Sequence, residues 1–209
     1  MATAERVLDI ARAELGNTEA PANSNRTKYG RWYGLDSQPW CMMFVQWCFH
    51  YAGVSLPART ASCGTLMRAA QKAGLWVTRG FQPGDVVIYD FSGKRTTTEH
   101  TGIVERVTAS GVVSIEGNTS EAGSQSNGGK VCRKERRFSL IVGAVRPDFE
   151  TEKRLDSTPS PAHEVGVEWA VKNGILTGDK AGNLNLSQPV TRQQLCTMLY
   201  RFARLLGKA

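Results

Sequence analysis

Residues 38–53 read Gln38-Pro39-Trp40-Cys41-Met42-Met43-Phe44-Val45-Gln46-Trp47-Cys48-Phe49-His50-Tyr51-Ala52-Gly53. Apolar or small residues recur in this segment with the period of an α-helix, at Cys41, Phe44, Val45, Cys48, Phe49 and Ala52. Pro39 fits the first turn of a helix, and Gly53 fits the position after its last residue. Because further apolar side chains lie on the other sides, the segment predicts a helix that is buried nearly all round.

Cys41 is predicted in the first turn of this helix. Unpaired N–H groups and the helix dipole favour an anion at that place, so the thiol is biased toward thiolate. The alternative is that Cys41 is one more small apolar core residue, since burial alone raises a thiol pKa. The helix by itself does not separate these two interpretations.

Two later segments favour the reactive interpretation. His100 begins an apolar run in Glu99-His100-Thr101-Gly102-Ile103-Val104, and Glu116 and Asn118 end a predicted strand. A nucleophile, a base and an orienting acid or amide at the edges of core elements form the set that a cysteine hydrolase needs. His100 could also be a packed or surface histidine, an interpretation that fits His50 and His163 better.

Six segments resemble the cysteine, histidine-dependent amidohydrolase/peptidase (CHAP) domain of peptidoglycan hydrolases. In chain order they are Ser24-Asn25, Tyr29-Gly30-Arg31-Trp32-Tyr33-Gly34, Pro39-Trp40-Cys41 with Phe44-Val45, Pro83-Gly84-Asp85-Val86-Val87, His100-Thr101-Gly102-Ile103-Val104, and Ile115-Glu116-Gly117-Asn118. The resemblance covers residues 1–148 and implies a papain-like α+β domain that cleaves an amide bond of peptidoglycan. The bond is either the N-acetylmuramoyl–L-alanine amide or one within the peptide stem or crossbridge.

The resemblance also implies a role for each site residue. Cys41 is expected to attack the carbonyl, His100 to carry the proton, and Glu116 to orient the imidazole. Asn118 is the second candidate for orienting the ring or binding substrate. We expect the oxyanion and the substrate to contact Gln38, Trp40, Trp32 and Tyr33 together with the backbone N–H of Cys41. No cofactor and no required metal are expected.

The remaining pattern of residues 1–148 agrees with an α+β domain, because helices come first and a meandering antiparallel sheet follows. Helices are predicted over 4–15, over 39–52 and from about Thr60 or Ser62 to Ala73, and the residues from Asn17 to Gln38 are predicted to be a long irregular segment. Strands are predicted over 86–91, 100–108, 112–116, 130–138 and 141–146. A mobile loop is predicted over 117–129.

Residues 149–162 have the composition of a linker, and residues 163–209 form a separate predicted module. This tail resembles one S-layer homology repeat, through Trp169-Ala170, Asn173-Gly174-Ile175, Thr177-Gly178 and Thr191-Arg192. Gln193 and Gln194 stand where that family has an acidic residue, and one repeat is present where three are common. The tail is therefore expected to bind a secondary cell-wall polymer or to form a homo-oligomer, its apolar helix faces covered by a second copy or by the catalytic domain.

Composition limits the remaining classes of function. The net charge is +7, and the densest basic cluster is Lys130, Arg133, Lys134, Arg136 and Arg137. This cluster predicts a solvated strand face or a polyanion contact, and no motif for specific nucleic-acid binding accompanies it. No apolar run reaches the ~18 residues of a membrane span. The five cysteines lack the spacing of a zinc site or a disulfide framework.

These features predict a peptidoglycan hydrolase most like a phage endolysin, with a bacterial autolysin as the next interpretation. Residues 1–9 carry no apolar signal core. We therefore expect a protein made in the host cytoplasm, acting on the cell wall and released by a holin. The opposed hypothesis is a catalytically inactive wall-binding or structural protein.

Overall fold

The computed structural model describes residues 2–122, 128–149, 156–180 and 182–208. The chain divides into two compact units, Met1–Thr151 and Glu152–Ala209. This division falls within the predicted linker 149–162, of which residues 150–155 lie outside the described residues, as do residues 123–127 of the predicted loop. Among the described residues, no helix combines the length and apolar character needed to cross a membrane.

The N-terminal unit contains four helices, α1 (Ala4–Ala13), α2 (Lys28–Tyr33), α3 (Cys41–Ala52) and α4 (Cys63–Lys72). The hydroxyls of Thr3 and Ser62 cap α1 and α4 by accepting hydrogen bonds from backbone N–H groups of the first turn. Gly53 ends α3 in the left-handed conformation (φ 72°), as a glycine after the last helical residue allows. The predicted buried helix is therefore present, with nine of its twelve residues buried.

Six strands form one antiparallel sheet in the order β1-β6-β2-β3-β4-β5. Their bounds are β1 (Trp76–Val77), β2 (Val86–Tyr89), β3 (His100–Val107), β4 (Gly111–Thr119), β5 (Lys130–Arg137) and β6 (Ile141–Val145). A short 3-10 helix over Phe138–Leu140 connects β5 to β6. The architecture is the predicted α+β fold, with the long strands β3 and β4 at the side of the sheet that α3 contacts.

The sheet separates two apolar clusters. One cluster joins α1, α3 and α4 to the sheet through Val86, Ile88, Ile103 and Ile115. The other lies on the opposite face around Val87, Tyr89, Val104 and Ile141, beneath Phe91 and Phe138. Because side chains alternate along a strand, the two sets differ by one residue on the same strands.

The predicted irregular segment 17–38 is wrong in part, because it contains α2. Thr27 caps this short helix by accepting the N–H of Gly30 at 3.0 Å, and Gly34 ends it with φ 90°. A helix of six residues carries too little apolar periodicity to be recognised in the sequence. Strand β4 also continues three residues beyond Glu116, the predicted end of the strand, and ends at Thr119.

The C-terminal unit contains α5 (Glu164–Lys172) and α6 (Arg192–Leu205). Thr191 and Gln194 form the predicted capping box at the start of α6. Among the described residues 156–180 and 182–208, Ile175 is the one apolar side chain that is buried. Large apolar side chains on both helices are exposed, namely Val165, Trp169, Val171, Leu195, Leu199, Tyr200, Phe202 and Leu205.

Candidate active site

Cys41 is the first residue of α3. Trp40 occupies the N-cap position, and its side chain makes no capping hydrogen bond to the N–H groups of the first turn. The sulfur accepts the backbone N–H of Met42. Pro39 thus precedes the cap instead of lying in the first turn, and Cys41 is placed where the helix terminus favours an anion.

His100 is the first residue of β3, where it pairs with Tyr89 of β2. The imidazole is buried, and its Nε2 lies 3.0 Å from Oε2 of Glu116. This contact leaves Nδ1 for proton exchange with the thiol of Cys41, to which the ring is also hydrogen-bonded. The structure therefore brings together Cys41, His100 and Glu116 from α3, β3 and β4, which are far apart in the sequence.

The electrostatics of the pair favour its charged form. Burial acts to lower the pKa of His100, but hydrogen bonds to Cys41 and Glu116 raise that pKa to about 9. The pKa of Cys41 lies well below its ordinary value, since hydrogen bonds from Cys63 and His100 outweigh the effect of burial. A thiolate and an imidazolium in contact are the activated form of a cysteine nucleophile and its acid–base partner.

Glu116 is held from several sides. Arg136 contacts both carboxylate oxygens, with Nε 2.9 Å from Oε1 and Nη2 2.5 Å from Oε2, and the Ser114 hydroxyl donates to Oε1 at 2.7 Å. Burial acts to raise the pKa of Glu116, but the bonds from Arg136 and His100 lower it to about 2. Glu116 is therefore an ionised acceptor that fixes the orientation of His100.

Two glycines of the sequence motifs make room for this arrangement. A Cβ atom on Gly102 would lie 2.6 Å from Cγ of Glu116, so a side chain there would displace the carboxylate. A Cβ atom on Gly117 would lie 2.7 Å from both Trp40 and Phe44, so a side chain there would push α3 away from β4. Both positions require glycine because the neighbouring groups approach too closely for any other residue.

Cys63 is a site residue that sequence reasoning missed. It is buried, as packing alone predicts, but its thiol also hydrogen-bonds to Cys41. This bond raises the pKa of Cys63, so Cys63 is the protonated donor and Cys41 the acceptor. The sequence gives one weak signal, because Cys63 directly follows the N-cap Ser62 and opens α4 as Cys41 opens α3.

Asn118 lies near the end of β4, with its side chain buried. Its φ of 56° is left-handed, and the pairing between β4 and β5 shifts register between Glu116 and Thr119. The strand is therefore irregular at Asn118, so the alternation that would place it on the same face as Glu116 does not hold here. Asparagine tolerates this backbone conformation better than most residues.

The four predicted substrate-contact residues lie in different settings. Gln38 is exposed in the loop before α3. Trp40 is fully buried, with its ring stacked on Tyr29 at 5.3 Å, so its side chain belongs to the core and is not available to a substrate. The prediction that the Trp40 side chain contacts the substrate is therefore wrong, because this side chain packs where α3 meets β4.

Trp32 and Tyr33 are partly exposed at the end of α2. The Trp32 ring packs against His50 at 5.1 Å, and Arg59 lies over Tyr33 at 4.6 Å. Since His50 is nine residues from Cys41 on α3, about 13 Å along the helix axis, Trp32 sits toward the far end of that helix. Any substrate contact of Trp32 is therefore distant from the thiol.

Replacing Cys63 by alanine should slow the reaction of Cys41, because the thiolate loses a hydrogen-bond donor. Hydrogen bonds to charged groups contribute about 1.5–3 kcal/mol, so we expect a loss of roughly tenfold or more in turnover. The measurement is the rate of cell-wall degradation and the rate of Cys41 alkylation by iodoacetamide. Cys48→Ala, at another buried cysteine, is the control. Equal effects of both variants would show that Cys63 contributes through packing and not through a hydrogen bond to Cys41.

Among the described residues, no group of three or more His, Cys, Asp or Glu side chains could hold a metal ion. In a comparison with protein-family models, residues 32–118 match the CHAP domain. CHAP domains are typically cysteine- and histidine-dependent amidohydrolases or peptidases. The match contains Cys41, His100, Glu116 and Asn118. No curated protein and no solved structure matched the chain in the other two comparisons.

Proposed function

We propose that this chain is an active cysteine hydrolase of the CHAP type, which residues 32–118 match, and that it cleaves an amide bond of peptidoglycan. The observation that carries the proposal is the buried contact chain from Cys41 through His100 to Glu116. A nucleophile, a base and an orienter that are each within hydrogen-bond reach of the next form the minimal machinery of acyl transfer.

In the proposed reaction, the Cys41 thiolate attacks the amide carbonyl and forms a tetrahedral oxyanion. The backbone N–H groups at the start of α3, with Gln38 as a side-chain candidate, stabilise that oxyanion. Imidazolium His100 then protonates the leaving amine, and the C–N bond breaks to give a thioester on Cys41. Neutral His100 next takes a proton from water, the hydroxide adds to the thioester, and the carboxylic acid and the thiolate are released.

The N-acetylmuramoyl–L-alanine amide and the peptide bonds of the stem or crossbridge are the two candidate scissile bonds. Digestion of purified Gram-positive cell walls, followed by mass spectrometry of the released fragments, distinguishes them by the new amine that appears. Pretreatment with iodoacetamide should stop the release. Intact walls after prolonged digestion with untreated protein would contradict the proposal and favour the inactive wall-binding alternative.

The alternative of an inactive wall-binding protein is disfavoured by the electrostatics of the site. A buried carboxylate, arginine and histidine are costly to hold together, and packing alone would be served by apolar residues. An endolysin released into the wall by a holin is the proposed setting, with a bacterial autolysin of the same chemistry as the second candidate.

For the C-terminal unit we propose attachment to the wall and self-association. Its helices α5 and α6 leave large apolar side chains exposed, which a small unit of this size cannot bury within itself. A pocket of about 630 Å³ lies between α6 and the segments 175–179 and 184–191, with Arg201 and Asp179 among its lining residues. A wall polymer in this pocket and a second copy on the apolar faces are the proposed partners.

Removing residues 152–209 should leave cleavage of solubilised peptidoglycan unchanged but weaken binding to whole walls. We expect the loss because the proposed attachment surfaces lie on α5 and α6, away from the residues that carry out the chemistry in sequence. Co-sedimentation with walls measures binding, and light scattering of the intact and shortened proteins measures association. A monomer in both cases would rule out self-association, and loss of turnover on soluble fragments would show that the tail helps to form the site.

A further inference from the structure

Arg136 lies where the basic cluster of β5 meets the site, but its surroundings differ from those of its neighbours. Arg133 and Arg137 are exposed, and Arg133 pairs with Glu105, whereas Arg136 is 5% exposed. Its guanidinium forms two nearly parallel hydrogen bonds to Glu116 and lies 5.0 Å from the ring of Phe91 and 5.6 Å from that of Tyr89. A bidentate, ring-stacked arginine is held in one orientation.

Arg136 does not touch Cys41 or His100 through any hydrogen bond that the described residues show. It reaches them through Glu116, whose Oε2 is bonded both by Nη2 of Arg136 and by Nε2 of His100. We infer that Arg136 is a positioning residue of the proposed hydrolase, which keeps Glu116 ionised and aimed at His100. The inference rests on the proposed function for its catalytic meaning, but not for its effect on the thiol.

The buried set of Cys41, His100, Glu116 and Arg136 is balanced in charge. The thiolate, the imidazolium, the carboxylate and the guanidinium carry two negative and two positive charges. Removing the guanidinium leaves Glu116 as a buried anion whose desolvation is offset by His100 and by the hydrogen bond from Ser114. Burial then favours the protonated acid at a higher pH than in the intact protein.

A protonated Glu116 can no longer attract an imidazolium. His100 would lose its proton more easily, and Cys41 would keep its own, so the reactive pair would form only at higher pH. The acid limb in the pH dependence of Cys41 reactivity should therefore move to higher pH when the Arg136 guanidinium is removed. A residue with a merely structural role would lower activity by the same factor at every pH.

The titratable groups around Glu116 come from five elements. Tyr89 of β2 reaches it through Ser114, with the two hydroxyl oxygens 2.8 Å apart. Cys132 of β5 is its partner in the strand register, and Cys41 of α3 and Cys63 of α4 lie beyond His100 of β3. Burial raises the pKa of Tyr89 and of Cys132, so neither acquires a charge in the range of the acid limb.

Arg146 provides a matched control. Its guanidinium also forms two bonds to a buried carboxylate, that of Asp85, at 3.0 and 2.8 Å. Asp85 precedes β2 at the end opposite Tyr89, about 13 Å away along the strand. Arg146→Met therefore removes an ion pair of the same kind without touching Glu116 or His100.

The test uses the full-length protein and measures how fast iodoacetamide alkylates Cys41 at a series of pH values. Mass spectrometry follows the extent of alkylation. Mass spectrometry separates Cys41 from the exposed Cys196. In Arg136→Met we expect the acid midpoint of Cys41 alkylation to rise by about one pH unit or more. In Arg136→Lys it should rise by less, because lysine keeps the positive charge but cannot bond both oxygens of Glu116 as the guanidinium does. Arg146→Met should titrate like the wild type.

A folded Arg136→Met protein whose midpoint equals that of the wild type would overturn the inference. If Arg136→Met does not fold, the acid midpoint of Cys41 alkylation in Arg136→Lys is compared with that in Arg146→Lys. An Arg136→Lys midpoint equal to that of Arg146→Lys would then overturn the inference. In a Glu116→Gln background, the further change Arg136→Met should not move the midpoint, since Arg136 acts through Glu116. Alkylation requires no wall substrate, so a shifted midpoint in a protein that degrades no wall would refute the proposed function and leave the role of Arg136 standing.

Discussion

Cys41→Ala is expected to reduce cell-wall degradation by a factor of about 10³ or more, because nucleophile variants of this class lose nearly all chemistry. The substitution removes the sulfur that lies at the α3 terminus in contact with His100 and Cys63. Folding should survive, since alanine suits a helix and the lost sulfur leaves a small space at a position that is 8% exposed. The measurement is the release of soluble fragments from purified walls, with circular dichroism as the check on folding.

Cys48→Ala is the matched control for this prediction. Cys48 lies two turns further along α3, is fully buried, and has a pKa that burial raises well above its ordinary value. Its loss should cost stability through packing and leave the rate of degradation unchanged. A Cys41→Ala protein that degrades walls at the normal rate would show that the assigned nucleophile is wrong.

Glu116→Gln is expected to have the second-largest effect, a loss of turnover of roughly 10²- to 10⁴-fold, as for the orienting acid of comparable triads. The amide keeps the size of the side chain but removes the charge that favours imidazolium His100. It also leaves Arg136 without its anion in a buried position, and breaking one side of a buried pair costs about 3–5 kcal/mol. Activity and urea unfolding, measured on the same preparation, separate the two effects.

The pH dependence of stability gives a second readout of Glu116. Its folded pKa of about 2 lies below the ordinary value of 4.5, so its stabilising contribution is present above pH 4.5 and is lost as the pH falls toward 2. The wild type should therefore lose stability in this window, and Glu116→Gln should lose less.

Glu105→Gln, at another ion-paired glutamate of the sheet, is the control that should keep turnover near that of the wild type. Equal turnover of Glu116→Gln and the wild type would remove Glu116 from the machinery.

Local sequence determined the position of Cys41. The helical period of residues 41–52 and the glycine at 53 are properties of a short segment, and the structure has α3 over those residues. The strands that carry His100 and Glu116 were also predicted from alternation and turn residues, because local preference and burial agree along them. That Glu116 orients His100 was expected from the family resemblance, and in the structure Nε2 of His100 lies 3.0 Å from the Glu116 carboxylate.

Tertiary structure alone decided the surroundings of these residues. In the β4–β5 register Arg136 stands opposite Val112, whereas Glu116 stands opposite Cys132, so the register did not predict their pairing. The arginine and glutamate side chains extend toward each other along the sheet to form this pair, and in the sequence Arg136 is one residue of a basic run. Burial of that one arginine depends on the packing of Phe91 and Tyr89 over it.

The surroundings of Cys63 and Trp40 are also set by tertiary packing. Beyond the place of Cys63 at the start of its own helix, the sequence does not indicate that α4 begins next to the start of α3, because that contact depends on how two helices pack on one sheet. Trp40 was expected to contact the substrate, but at the N-cap its ring packs into the core against Tyr29 and Gly117. Sequence periodicity thus determines which elements form and which residues begin them, whereas the direction and partners of a side chain at an element's end depend on packing between distant segments.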